Sequence, residues 1–554
     1  KRQRMLHKYG KSSVMFKYWR NKVIIDVKSA RSKYYSLSVS KLKDSNPSKW
    51  WKEVKSIGGL SSSNSWHHQL LSPMNPTSED LVQSINNFFA GLTSHFSPLE
   101  PDDFDMQLTV PPSFLVNIGQ VYHALRNIKI NKSPGPDLIP NKILKMFAFE
   151  LAPVITDVYN SSLMQGVFPH QLKLSIVRPI PKVLPPSSVE NDLRPISLTS
   201  QISKVMEGFT IDAMIPQVID QLDIKQFALP NKSTSHALVY LLHQILAALD
   251  NGHNSIRMFF ADFRKGFDLV DHNVIINELE NLQVHPVLVR WIRAFLTNRE
   301  QCVKIDSHQS PWMRVNGGLP QGTRLGPLLF AILINPLLKD WIGRLKFVDD
   351  TTALEIVPRC SPSIMPLIVD EISNFSSSRG MELNPRKCKE MIINFLQYRV
   401  PCDQPMFVNG QRVERVRSFK LLGVYLSEDL TWKVHVDYIL KKANSRLFSL
   451  RLLKKAGLNH TDLITIYCSV IRSILEYASP VWADLPDYLC SHLESVQKRA
   501  LKIIFPGLSY CEALKTSKLK TLECRRDESC YKFINSIRTK ACSNNPLYNI
   551  VNFS

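Results

Sequence analysis

The chain has 554 residues, 44% of them apolar, and a formal net charge of +21. That length exceeds one compact core and predicts several subdomains, while the basic excess points to a polyanionic partner. No membrane partner is expected: no apolar run reaches the ~18–20 residues of a span, and the best candidate, Leu325 to Leu338, is broken by Pro327, Asn335 and Pro336.

The charge is concentrated at the start. From Lys1 to Lys55 there are 16 Lys or Arg against 3 acidic residues, interleaved with Tyr9, Phe16, Tyr18, Trp19, Tyr34, Tyr35, Trp50 and Trp51. Cations pair with phosphates and rings stack on bases, so Lys17, Trp19, Arg20 and Lys22 are candidate nucleic-acid contacts. Residues 1–60 are predicted as a basic helical linker segment closing at Gly58-Gly59. Residues 61–114 are predicted as a loosely ordered connector that opens with the linker Ser61-Ser62-Ser63-Asn64-Ser65. It holds one helix over Thr77–Thr93, capped by Thr77 with Asp80 three residues on.

Residues 115–395 read as mixed α/β. From 428 to 505 the pattern turns helical, with apolar spacing of three and four over Lys433–Leu453 and Thr461–Ile474. Residues 511–554 form a basic extension, within a second basic region running from Lys498 to Lys540. Lys498 and Arg499 are its candidate nucleic-acid contacts. Ten cysteines without a CxxC pair predict a reducing compartment and no zinc finger. Cys302, Cys388 and Cys468 are expected to be small buried hydrophobes.

The chemistry-bearing feature is Asp349-Asp350 within Lys346-Phe347-Val348-Asp349-Asp350-Thr351-Thr352-Ala353, which reads as strand, tight turn, strand. Like charges side by side among apolar residues are costly unless cations neutralise them, and hard divalent ions favour carboxylate oxygens. A third carboxylate, Asp262, ends the apolar run Met258-Phe259-Phe260-Ala261. Two strands of one sheet, each bringing a carboxylate, predict a two-metal site, with ions roughly 4 Å apart.

Phe260-Ala261-Asp262-Phe263-Arg264-Lys265-Gly266-Phe267-Asp268 resembles motif A of the reverse transcriptases of non-LTR (LINE-type) retrotransposons. Phe347-Val348-Asp349-Asp350 resembles their motif C. Between them, Gly318-Leu319-Pro320-Gln321-Gly322-Thr323-Arg324-Leu325-Gly326-Pro327 is similar to motif B. Asn131-Lys132-Ser133-Pro134-Gly135-Pro136-Asp137 and Leu193-Arg194-Pro195-Ile196-Ser197-Leu198 resemble the finger motifs. Leu383-Asn384-Pro385-Arg386-Lys387-Cys388-Lys389 resembles motif D. Leu421-Leu422-Gly423-Val424 and Tyr477-Ala478-Ser479-Pro480-Val481-Trp482 look more like this branch than like group II intron enzymes. The likeness covers roughly residues 115–500, in the family's order.

The resemblance implies an α+β right-hand polymerase: fingers and first part of the palm over 115–260, palm over 261–426, helical thumb over 427–510. It implies an RNA-directed DNA polymerase that extends a primer 3′-hydroxyl with dNTPs. Its partners would be an RNA template and a DNA primer or target. Asp262, Asp349 and Asp350 would hold two Mg²⁺ ions, Mn²⁺ being a substitute, and Lys387 would protonate the leaving pyrophosphate. Phe267 would exclude a ribose 2′-hydroxyl. The Phe263 backbone, Gln321 and Gly322 would face the incoming dNTP, Arg194 and Lys182 its triphosphate, and Arg324 the template. Asp268 and Asp271 are read as turn or cap residues.

Four departures stand out. Phe347-Val348 replaces a usual Tyr-Ala, Gly266 a usual Ala, Leu138 a usual Gly and Arg324 a frequent Val; none removes a catalytic group. With Lys1 in place of Met at the start, the chain is expected to be part of a longer polyprotein whose endonuclease domain lies elsewhere. Its setting would be an intracellular ribonucleoprotein in cytoplasm and nucleus. The reading from a different class is a catalytically silent nucleic-acid-binding relic, against which the intact carboxylates and Phe267 argue.

Overall fold

The computed structural model describes residues 1–60, 66–72, 76–100, 108–396, 404–539 and 544–553. The serine-rich linker predicted at 61–65 lies outside them. The chain forms two compact units: Lys1–Ser63 with Lys420–Ser536, and Asn64–Phe419 with Ile537–Ser554.

The first unit is mainly helical. Asn46 caps the helix Pro47–Ile57 by accepting from Lys49 N–H, and Pro47 opens its first turn, where no donor is needed. That helix buries Trp50 and Val54. The helix Lys433–Lys455 buries Leu447, Leu450 and Leu453 at three- and four-residue spacing, and Asp487–Ile504 buries Leu489, Leu493, Val496 and Ala500. Asp462 is buried and satisfied from the N-terminal segment: it accepts from the Tyr35 hydroxyl at 2.6 Å and pairs with Lys43. By contrast the helix Val14–Tyr34 buries no residue along its 21 residues.

The second unit is the mixed α/β part. The predicted capping box is present, Thr77 and Asp80 exchanging bonds at the start of the helix Ser78–Gly91. Its strands include β1 (Ser175–Pro181), β2 (Leu193–Thr199), β3 (Asn254–Ala261), β4 (Arg299–Ile305), β5 (His308–Gln309), β6 (Met313–Val315), β7 (Arg344–Phe347), β8 (Asp350–Pro358) and β9 (Lys389–Ile393). One sheet runs β2-β1-β4-β5, with β6 also on β4. The other runs β9-β3-β8-β7, with a short parallel strand, Glu414–Arg415, added beyond β9. Within it, β3 pairs antiparallel with both β8 and β9.

β3 is central and covered on both faces, so Ile256 to Ala261 are all buried and its sequence shows no alternation. Arg257 is the exception in type; its guanidinium is paired across to Glu390 on β9 at 2.7 Å, the two side chains being 1% and 3% exposed. Beneath the sheet lies a core that includes Phe259, Trp291, Phe295, Leu329 and Phe330. The helix Gly326–Leu333 ends although apolar residues continue to Leu338. Pro336 supplies no N–H and disfavours helical geometry at Asn335, so the remaining apolar residues pack as turns. Leu138 takes φ 54, the left-handed region that costs an L side chain about 1 kcal/mol or more.

Candidate active site

Strand register brings the carboxylates together. Ala261 pairs with Thr351 across β3 and β8, so Asp262, one residue beyond β3, falls opposite Asp350 at the start of β8. Asp349 lies with Val348 in the two-residue turn closed by the pair Phe347 and Asp350. Burial raises the Asp349 carboxyl above its usual range, and Asp262 adds to this, with Arg194 and Lys387 opposing. Asp350 is pushed up to about 6 by desolvation, then by Asp349 and Asp262. Its side chain is reached by solvent, so the site is an open cleft with protein crowding the carboxylate from the other sides.

Asp262 is held from behind, its N–H donating to the buried Cys388 sulfur at 3.4 Å. Its Oδ2 is buried without a hydrogen-bond partner among the described residues, and Lys387 Nζ stands 3.5 Å from it. Three mutually repelling carboxylates, one with an orphaned oxygen, suit hard divalent cations. As the side chains stand, no three His, Cys, Asp or Glu groups among the described residues are gathered around one point.

The surrounding residues converge on the same cleft. Lys182 and Arg194 follow from the paired strands β1 and β2, where Ile180 opposes Arg194. Desolvation lowers the Lys182 ammonium, and the charges acting on it include Lys387, Arg194, Asp268 and Asp262. Lys387 sits in a turn tied to the chain after β3, since Asn384 N–H donates to Asp262 O at 2.8 Å. Phe267 is half-buried and stacks on the Phe330 ring, centroids 4.8 Å apart and planes at 13°. The Phe263 ring is buried in the core, leaving its backbone as the part able to serve the cleft.

The loop before the helix Gly326–Leu333 is stitched on both sides. Leu319 N–H donates to Phe267 O at 2.7 Å, and Ser197 N–H on β2 donates to Gln321 O at 2.9 Å. A Cβ on Gly322, whose φ is 149°, would fall 2.2 Å from the Ser197 carbonyl oxygen, so only glycine fits there. The Gln321 amide, expected to face a substrate, donates instead to Asp268 Oδ1 at 2.8 Å. Asp268 is thus a loop-positioning group that its place in a motif did not reveal, whereas Asp271 caps the helix His272–Asn281 as expected. Sequence reasoning also missed Glu207, fully buried and accepting from the N–H groups of Arg324 and Leu325 at 2.6 and 3.0 Å. The signal was available: Glu207 stands amid the apolar residues of the helix Gln201–Val218.

Arg324 is exposed and lines a cavity of about 890 Å³ together with Lys129, Lys132, Lys204 and Gly322. The other candidate nucleic-acid contacts belong to the first unit. Lys17, Arg20 and Lys22 are exposed on the helix Val14–Tyr34, and the ammonium groups of Lys1 and Lys22 lie 4.9 and 5.4 Å from the Trp19 ring. Lys498 and Arg499 are exposed on the helix Asp487–Ile504.

Paired antiparallel strands thus present acidic groups at one end, with Lys182 and Arg194 brought by a second sheet. The chain matches, over residues 180–426, the family described as reverse transcriptase (RNA-dependent DNA polymerase). It is 26% identical over 386 residues to the probable RNA-directed DNA polymerase from transposon X-element of Drosophila melanogaster, covering 68% of this chain and 42% of that protein. It is 22% identical over 455 residues to the RNA-directed DNA polymerase from mobile element jockey of the same organism, covering 79% of this chain and 47% of that protein. The chain therefore spans less than half the length of these relatives. A telomerase structure from Candida albicans aligns at a TM-score of 0.34 and 14% identity, over 66% of this chain and 70% of that one, a likeness too slight to weigh.

Proposed function

We propose that the chain is an RNA-directed DNA polymerase of a non-LTR retrotransposon, extending a primer 3′-hydroxyl with dNTPs on an RNA template. The observation that carries the reading is the register that sets Asp262 opposite Asp350 and beside Asp349, within the stretch that matches the reverse transcriptase family. Asp262, Asp349 and Asp350 hold two Mg²⁺ ions in this proposal, the orphaned Asp262 oxygen and the raised carboxyls being the features that fit them. When bound, the ions lower the pKa of the primer hydroxyl and offset charge on the attacking and leaving oxygens.

The chain's own groups supply the rest. Lys182 and Arg194 neutralise the triphosphate from the opposing sheet, Arg offering a fixed fork of donors. Lys387 gives a proton to the leaving pyrophosphate. Phe267, braced on Phe330, leaves no room for a 2′-hydroxyl. Arg324 and the lysines of its cavity bind template phosphates, and the basic helix Val14–Tyr34 with Lys498 and Arg499 binds nucleic acid. The setting proposed is a ribonucleoprotein of cytoplasm and nucleus.

The test is extension of a DNA primer on an RNA template with Mg²⁺ and dNTPs, with Asp349→Asn as control. Extension by the parent and none by the variant supports the proposal. Tight binding of template–primer with no extension by the parent overturns it and assigns the chain as a silent nucleic-acid-binding relic.

A further inference from the structure

The turn that carries Asp349 is strained. Val348 has φ 55, the left-handed region, at the first central position of a two-residue hairpin turn. Glycine is the residue suited to that position, and a β-branched side chain is among the least suited. A conformation of this kind persists only where its surroundings hold it.

The holding group comes from a segment far away in sequence. Residues Asp223 to Ala228 run alongside β7, the edge strand of the sheet. Lys346 N–H donates to Lys225 O at 3.0 Å, and Phe227 N–H donates to Lys346 O at 2.8 Å. Three alternate residues of that edge are gripped in turn. Asp223 accepts from the Arg344 guanidinium at 2.8 Å and pairs with the fully buried Lys346 at 2.9 Å. Two residues beyond Lys346, Val348 N–H donates to Gln226 Oε1 at 3.0 Å.

The same oxygen accepts from Ala228 N–H at 3.1 Å, which fixes the side chain to its own segment. The anchor is itself braced, since Asp223 N–H donates to Asn335 Oδ1 at 2.7 Å and Lys346 Nζ donates to Ile334 O and Asn335 O. Gln226 is 2% exposed, and its Nε2 has no hydrogen-bond partner among the described residues. An amide that leaves its donors unpaired in a buried place is there for its carbonyl.

We infer that Gln226 is a positioning residue for the carboxylate turn: its side-chain oxygen, by holding the Val348 N–H, keeps the strained backbone in the geometry that sets Asp349 and Asp350 beside Asp262. The inference rests on the proposed role of those carboxylates in nucleotidyl transfer. Gln226 touches neither substrate nor metal ligand side chains; it acts through the backbone of its neighbour.

Gln226→Met keeps the volume and removes the acceptor. Measured per active enzyme, kcat for primer extension should fall about tenfold or more, with the dNTP KM and template–primer Kd within about twofold. Hydrogen exchange at the Val348 amide should speed up by about tenfold or more. Glycine adopts φ 55 without strain, so in a Val348→Gly background the same Gln226→Met change should cost less than about threefold in kcat.

An unchanged kcat in Gln226→Met, or the same loss in both backgrounds, overturns the inference. If Gln226→Met does not fold, the pair with Val348→Gly should fold, and a pair that stays unfolded also overturns it. If the parent extends no primer, the proposed activity falls by itself. The exchange rate at Val348 then still decides the matter, faster exchange in Gln226→Met supporting the hold and unchanged exchange refuting it.

Discussion

Replacing Asp268 by Asn removes a half-buried negative charge at almost constant volume and leaves an acceptor for the Gln321 amide, 2.8 Å away in the parent. Burial is the main reason the Asp268 carboxyl is raised from 3.8 to about 6; Gln321, Lys265 and Lys182 oppose this, and Asp349 adds to it. A carboxyl raised in the folded state is most stabilising when protonated, below the unfolded value, and that stability is lost as pH rises through the folded value. With values of 3.8 and about 6, ionisation costs the parent about 1 kcal/mol at pH 4.5 and about 3 kcal/mol at pH 8. Asn carries neither cost.

Asp268→Asn should therefore melt above the parent at pH 8, and the gap should be about 2 kcal/mol smaller at pH 4.5, roughly 3 °C in a unit of this size. The assay is thermal unfolding of both proteins at the two pH values in chelator, so that no divalent ion masks the charge. A variant that melts below the parent at pH 8, or a gap that does not change with pH, would refute the reasoning. It would show that the Lys182 and Lys265 ammonium groups fully offset the charge.

Asp349→Asn should abolish extension while template–primer binding persists, because an amide cannot supply the lost charge to a cation; activity retained within about tenfold, or ~1.4 kcal/mol, would contradict its role. Phe267→Ala should raise rNTP over dNTP incorporation by about 30–150-fold, or roughly 2–3 kcal/mol. It should also lower stability through the lost stacking on Phe330; an unchanged sugar ratio with a lowered melting temperature would assign the ring to packing alone. Glu390→Ala takes the carboxylate from the buried Arg257 guanidinium and should cost about 3–5 kcal/mol of stability, read as a lower denaturant midpoint, and an unchanged midpoint would show the charge rehydrated.

The sequence by itself determined whatever depends on residue type and short spacing. Thr77 and Asp80 form their capping box because cap and helix lie three residues apart, and Asp349-Asp350 falls at a hairpin because a short turn separates two β-rich runs. Order and identity of the acidic, glycine-rich and basic segments were likewise legible, and they match the reverse transcriptase family over 180–426.

Tertiary structure decided what those segments touch. Asp262 meets Asp350 through the register of β3 on β8, which cross-strand packing fixes and no local propensity encodes. The capture of the Gln321 amide by Asp268 and the hold of Gln226 on Val348 both depend on partners distant in the chain. A buried polar atom must find a partner, but only the packed core settles which one it finds.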